Sequence, residues 1–483
     1  MLRPGHEAYY LGVAPPPGSG IEGSEAPGFW VGGGAHLLGL AGSVDELSLG
    51  ALLRSRHPGS GEVLNPSADR IRRAGFDLTF AAPKSVSLLH GLGSGEVTSA
   101  VAGAHTVAVL AAFDYLERRG VAVRRTIGGE RRTVASEGAV ASAFLHRTSR
   151  ALDPHLHTHV VLANLAAGED GRYTALDSRG IFAHKAAAAA IYHAQLRFEL
   201  TGTLGVEWGP LSRGRADVKG VEVEVRRAFS QRAAAIARDL VDHDLGGQRA
   251  RDIASAATRP ARDPEARFED LRPGWREHAA SLGFDGPALE AVLGRSRAPS
   301  RAPAAEPLQP AQYHRAAEPL QATYSNLVEA AVPAALRTLG ERPLVARRDV
   351  VREIAASLHS GGPAKSIEAA ADLMVPGGRG PGVSEPRVPG TELEAPGWAT
   401  RRLGARPGPG QEWKRDRWDR AADALADFRA RWGEGSRQPT IAESAERMEL
   451  QREVRLARAL LEHSPTRGVE RSRCADRSAG LGL

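Results

Sequence analysis

The chain has 483 residues, a formal charge of +6 and a single cysteine, Cys474. That length allows two or three domains, and the charge is compatible with an anionic partner such as nucleic acid. One cysteine excludes an intramolecular disulfide and a cysteine-based metal cluster. No run of 18 apolar residues occurs and "MLRPGHEAYYLG" lacks an apolar core, so neither a membrane segment nor a signal peptide is expected and the default is a cytoplasmic protein.

The first feature in chain order is the doublet Tyr9-Tyr10 in "HEAYYLG", in a chain with seven tyrosines. Such a doublet serves packing or surface in many proteins, but a tyrosine hydroxyl can also attack a phosphodiester. "AGFDLTFAAPKSVSLLHGL" (74–92) then reads as a strand, with Phe76, Leu78 and Phe80 on one face and Asp77 and Thr79 on the other. Pro83 opens a helix with Lys84 and Ser85 in its first turn, where an anion such as phosphate would be favoured. "VRRTIGGERRT" (123–133) reads as a hairpin turning at Gly128-Gly129. Its arms carry Arg124, Arg125, Arg131 and Arg132, which either grip phosphates or form a solvated basic ribbon.

"FLHRTSRALDPHLHTHVVLANL" (144–165) holds four of the sixteen histidines. "GAVASAFLH" and the run from His157 to Leu165 read as strands, joined by the turn-prone "RTSRALDP". His157 and His159 share a face by the period of two, and an antiparallel pairing brings His146 opposite one or the other. Three converging imidazoles suit a divalent metal with open positions. An isolated pair of this kind is also common on hairpin surfaces. His155 is expected in the loop, on the opposite parity and exposed. Together, a tyrosine, a carboxylate and three histidines are coherent with metal-assisted transesterification of a nucleic acid strand.

The expected layout has a domain over 1–290, a Pro/Ala/Arg-rich linker over 291–320, a helical region of unassigned role over 321–465 and a disordered tail over 466–483. Within the helical region "NLVEAAVPAALRTLG", "ARRDVVREIAASLH", "RWDRAADALADFRARWG" and "AERMELQREVRLARALLEH" carry the helical patterning.

The tyrosine doublet, "PGFWVGGGAHLLGLAGSVD" (27–45), the Asp77 segment, the histidine segment and "DGRYTALDSRGIFAHKAAAAAIYHAQLRFELTGTLGVEW" (170–208) occur together and in this order. In these the chain resembles the relaxase domain of the MobF (TrwC-type) conjugative relaxases, which are HUH endonucleases, over roughly its first 290 residues. The resemblance implies an α+β fold, an antiparallel sheet with helices on one face. It implies Tyr9 as first nucleophile with Tyr10 its neighbour, Asp77 as the assisting acid, and His146, His157 and His159 as ligands of Mg2+ or Mn2+. The implied reaction is site- and strand-specific nicking and rejoining of single-stranded DNA at a transfer origin through a 5′-phosphotyrosyl intermediate. Relaxosome and type IV secretion proteins are the further partners it implies. Three departures accompany it. No second tyrosine pair follows the first, "MLRPGHE" does not read as the strand the family has there, and no G-x-x-x-x-G-K-[ST] occurs, so the usual helicase is not expected. Two rival readings are a non-catalytic DNA-binding relaxase remnant and a metallohydrolase acting through bound water, which would make both tyrosines dispensable.

Overall fold

A computed structural model describes residues 27–67, 73–243, 266–294, 325–340 and 345–375, with scattered positions over 250–258 and 387–422. Tyr9, Tyr10, the linker from 295 to 320, the helix expected at 445–463 and the tail lie outside the described residues.

Strand β1 (Phe29–Val31), helices α1 (Gly33–Leu37) and α2 (Glu46–Leu53), strand β2 (Gly75–Ala81), helices α3 (Lys84–Leu92) and α4 (Gly95–Gly120) come first. The ribbon β3 (Ala122–Ile127) and β4 (Glu130–Ala135) precedes the central hairpin β5 (Ala141–Thr148) and β6 (Pro154–Ala163). Short strands β7 (Ala166–Ala167) and β8 (Tyr173–Thr174) lead to α5 (Ser178–Leu204), α6 (Val223–Ala228), α7 (Gln231–Asp242), α8 (Phe268–Ser281) and α9 (Gly286–Val292). Beyond the linker follow α10 (Ser325–Gly340), β9 (Val345–Ala346), α11 (Arg347–Ser357), α12 (Ala364–Met374) and β10 (Arg387–Val388).

The main sheet has the order β1-β5-β6-β2, with every neighbour antiparallel. Side chains alternate across its strands, and the two faces have different fates. On one face Phe76 meets Phe182 and Phe80 meets Tyr192, both of α5. Helix α4 lies on the same side, with Val97, Val101, Ala104, Ala108, Ala112 and Leu116 buried at helical spacing. It starts at Ser94, whose hydroxyl accepts from the Val97 amide, and ends with Arg118 and Arg119 against its carbonyl end. Helix α5 starts at Asp177 and stops at Gly205 in the left-handed region, φ 64°. On the other face Trp30, Phe144 and Val161 join Leu49, Leu52 and Leu53 of α2 in a second apolar cluster. This cluster covers one end of the strands; the histidines occupy the other.

By length and composition α4 is one helix that could cross a membrane. Here it is a core helix, and its His105 is fully buried between α5 and β6.

The described part of the helical region, 325–375, packs on the first 290 residues. Residues 1–396 form one compact unit. Arg197 of α5 is buried and donates to the carbonyls of Gly214 (2.7 Å), Ala355 (3.3 Å) and Leu358 (3.0 Å). Gly361 sits at φ +79° against α5, where a Cβ would meet the Ala194 carbonyl oxygen at 2.0 Å. Arg118 of α4 pairs with Glu368 of α12 at 2.6 Å. The composition break at 294–312 marks a connection, and a buried arginine with carbonyl partners closes the interface across it. Arg197→Ala strands buried carbonyls at about 1–3 kcal/mol each. It is expected to lower stability by roughly 3 kcal/mol, read as a shift in the denaturation midpoint. A surface-like change below about 0.5 kcal/mol would contradict the docking.

Residues 397–483 form a second compact unit. Within it Arg406 makes a two-pronged pair with Asp419, both contacts at 3.0 Å, beside the buried Trp418.

Candidate metal and nicking site

The register of the central hairpin decides which imidazoles meet. His146 lies opposite His157, and Phe144 opposite His159. On the other side of β6, Ala81 lies opposite His157 and Thr79 opposite His159. Thus His146, His157 and His159 project from one sheet face. Their ring centroids are 5.0–5.2 Å apart, and one nitrogen from each lies within 4.8 Å of the others. His146 and His157 are buried and His159 is half-buried.

Hydrogen bonds set which nitrogen each ring presents. The His159 Nδ1–H donates to Asp77, at 2.8 Å to Oδ1 and 3.0 Å to Oδ2. The Thr79 hydroxyl donates to Asp77 Oδ1 at 3.3 Å. The His157 Nδ1–H donates to the His155 carbonyl at 2.9 Å. With Nδ1 carrying the proton in both rings, each Nε2 keeps its lone pair for an ion. Asp77 therefore acts here through His159, fixing its tautomer and ring orientation.

This donor set fits a divalent metal. Three nitrogens about 2.1 Å from a common ion lie about 3.0–3.6 Å apart, so rings whose nitrogens now lie within 4.8 Å of one another need to close by up to about 1–2 Å. Three protein nitrogens leave open positions for substrate oxygens.

His155 corrects the expectation of an exposed loop residue. Strand β6 begins at Pro154, so residues 155, 157 and 159 share one parity and one face. The His155 ring stacks on His157, centroids 4.5 Å apart and planes at 28°. Burial pushes its pKa down to about 3 and keeps it neutral, with the neighbouring His157 acting in the same direction.

From His155 a groove of about 690 Å³ runs between β2, the start of α3 and the segment 210–230. Lys84, Tyr192, His193, Arg215 and Arg227 are among its lining residues. Lys84 donates to the Pro154 carbonyl at 2.7 Å, and burial lowers its pKa to about 8. The anion expected at the start of α3 is supplied by the chain itself. Asp217 accepts from the Ser85 amide (3.2 Å) and hydroxyl (2.7 Å) and pairs with Arg226.

The arginine ribbon forms as expected, turning at Gly128 (φ 61°) and Gly129 (φ 82°), the left-handed pair that suits a two-residue hairpin turn. Its four arginines are not equivalent. Arg125 is buried and makes a two-pronged pair with Asp170 while donating to the Arg172 carbonyl at 2.6 Å. It stitches the ribbon to the 168–174 turn and is corrected from a phosphate-gripping to a structural role. Arg124, Arg131 and Arg132 are exposed. Arg124 lies 4.0 Å from Asp177, and Arg132 pairs with Glu130 at 3.1 Å.

A histidine triad on an antiparallel sheet backed by two long helices is the architecture of a relaxase. The chain belongs to the TrwC relaxase family, whose model matches residues 5–282. It is 35% identical over 273 residues to the multifunctional conjugation protein TraI of Escherichia coli, and 33% over 274 to that of strain K12. Each match covers 53% of this chain and 14% of the relative, so the similarity concerns a small part of those longer proteins. Among solved structures, the metal-bound conjugative relaxase TrwC in complex with oriT DNA aligns at 30% identity with a TM-score of 0.52. TrwC complexed with a 27-mer DNA comprising the recognition hairpin and the cleavage site aligns at 30% with 0.51. Both alignments cover 59% of this chain and 98% of that one.

Proposed function

We propose that this chain nicks and rejoins single-stranded DNA at a transfer origin. The observation that carries the reading is the convergence of His146, His157 and His159, with Asp77 orienting His159. A bound divalent ion supplies Lewis-acid polarisation of the scissile phosphate and neutralises charge in the transition state. Both ions favour oxygen ligands, but Mn2+ accepts imidazole nitrogen and gives up water more readily than Mg2+, so of the two ions expected it fits this donor set better. Tyr9 is the nucleophile and Tyr10 its neighbour. The Tyr9 phenolic oxygen forms a bond to phosphorus while the bond to the 3′-oxygen breaks. The phenolic proton passes, with Asp77 assisting, to the departing 3′-oxygen, which leaves as a hydroxyl. Attack by that hydroxyl on the phosphotyrosine reverses the step and reseals the strand. The groove beside His155 is a path for the single strand, with Arg215 and Arg227 against its phosphates. Relaxosome and secretion proteins are the partners such an activity works with.

The test is a labelled oligonucleotide carrying the cognate origin, incubated with the protein and Mn2+. A denaturation-resistant protein–DNA adduct supports the reading. Strand cleavage that leaves a free 5′-phosphate and no adduct would indicate a metallohydrolase instead.

Binding gives an independent check. On single strands affinity falls by roughly 0.7 log units per contacted phosphate for each log unit of salt. Neutralising Arg124, Arg131 and Arg132 together is expected to flatten that slope, whereas Arg125→Ala is expected to lower ribbon stability. An unchanged slope in the triple variant would mean the ribbon is merely solvated.

A further inference from the structure

The layer between the sheet and helices α4 and α5 is apolar over most of its extent, with Val101, Ala104, Ala108, Leu156 and Val160 at most 5% exposed. A line of polar groups crosses it. His105 of α4 is 0% exposed and uses both ring nitrogens. Nδ1 lies 2.8 Å from the Tyr192 hydroxyl of α5, and Nε2 lies 2.8 Å from the Thr158 hydroxyl of β6. Thr158 sits between His157 and His159 and points to the opposite face of the strand. Tyr192 is itself a lining residue of the groove beside His155.

A valine at 158 would fill the same volume and remove the need for polar partners in an apolar layer. A buried polar set of this kind confers geometry, because a hydrogen bond has direction and an apolar contact does not. The rotation of β6 about its own axis is what aims its side chains at residues 157 and 159. An error of 1 Å at the nitrogens is large against a metal–ligand distance of about 2.1 Å.

We propose that Tyr192, His105 and Thr158 form a polar pin that sets the pleat of β6 and so the directions of His157 and His159. The proposal rests on the metal reading of the triad. His105 and Thr158 are positioning residues, acting on the ion through the strand. Tyr192 connects the pin to the groove, so the alignment of the ligands is coupled to the wall along which the strand is threaded.

Titration of the full chain with Mn2+, read by calorimetry, together with thermal melting, tests this. Thr158→Val is expected to weaken Mn2+ affinity about tenfold, in the range that loss of an outer-shell partner produces. Thr158→Ser, which keeps the hydroxyl, is expected to restore it. A triple variant, His105→Phe with Thr158→Val and Tyr192→Phe, removes every partner at once and leaves no unpaired polar group. It is expected to regain melting temperature without regaining Mn2+ affinity. Affinity that recovers in step with stability, or that Thr158→Val leaves intact, would overturn the pin alone. Equal Mn2+ binding by wild type and His157→Ala would overturn the metal reading, and the pin with it.

Discussion

Replacing any one of His146, His157 and His159 by alanine is expected to reduce affinity for Mn2+ by more than about 100-fold while leaving the fold intact. Loss of an outer-shell partner alone costs about 10–100-fold, and loss of a ligand removes a metal bond outright. The fold survives because the triad lies at the end of the strands away from the cluster built on Trp30, Phe144 and Leu52. Asp77→Asn belongs to the outer class, because an amide oxygen still accepts from His159 Nδ1 but contributes no charge; a 10–100-fold loss is expected. His155→Ala should fall below both, since only a stacked ring is lost. Calorimetric titration of the series checks the order. Equal affinities for wild type and His157→Ala would remove the metal from the site.

Tyr9→Phe is expected to abolish nearly all covalent product and to leave DNA binding unchanged. Only the hydroxyl is lost, so the surface offered to the strand keeps its shape. The loss of adduct should reach several orders of magnitude, as for other covalent nucleophiles. Neighbours on an extended segment point to opposite faces, so Tyr10 should substitute weakly. With no second tyrosine pair after the first, a second cleavage would need another protein molecule, or closure by attack of the 3′-hydroxyl. Gel separation of adduct and anisotropy of binding, measured on the same samples, check both halves. A Tyr9→Phe variant that retains adduct while Tyr10→Phe loses it would reverse the two roles.

The site was legible in the sequence where one strong periodicity governs it. The period of two put His157 and His159 on one face, and Asp77 and Thr79 on the face opposite Phe76 and Phe80. Counting alone could not choose between His157 and His159 as the partner of His146. The register, set by the hairpin and its irregularity between His146 and Thr148, made that choice. His155 was misplaced because Asp153-Pro154 read as the end of a turn. The strand in fact starts at the proline, where a missing backbone N–H is tolerated. Its shared parity with His157 and His159 was the available signal. Arg125 looked like its three neighbours because nothing local announces Asp170, 45 residues on. Arg197 in an alanine-rich helix likewise reads as a surface residue, and its carbonyl partners at Ala355 and Leu358 lie across the linker. Both are long-range pairings of single charges, which leave no periodic trace.

The central claim is that a tyrosine of this chain becomes covalently joined to DNA under the control of the histidine triad. Mass spectrometry of the proteolysed adduct, formed with a cognate origin strand and Mn2+, tests it most directly. The account predicts one nucleotide-bearing peptide, linked through a 5′-phosphate to Tyr9, absent without Mn2+ and absent from His157→Ala. A protein that binds Mn2+ and the origin strand yet yields no phosphotyrosyl peptide would contradict it and identify the chain as a DNA-binding relative that does not cut.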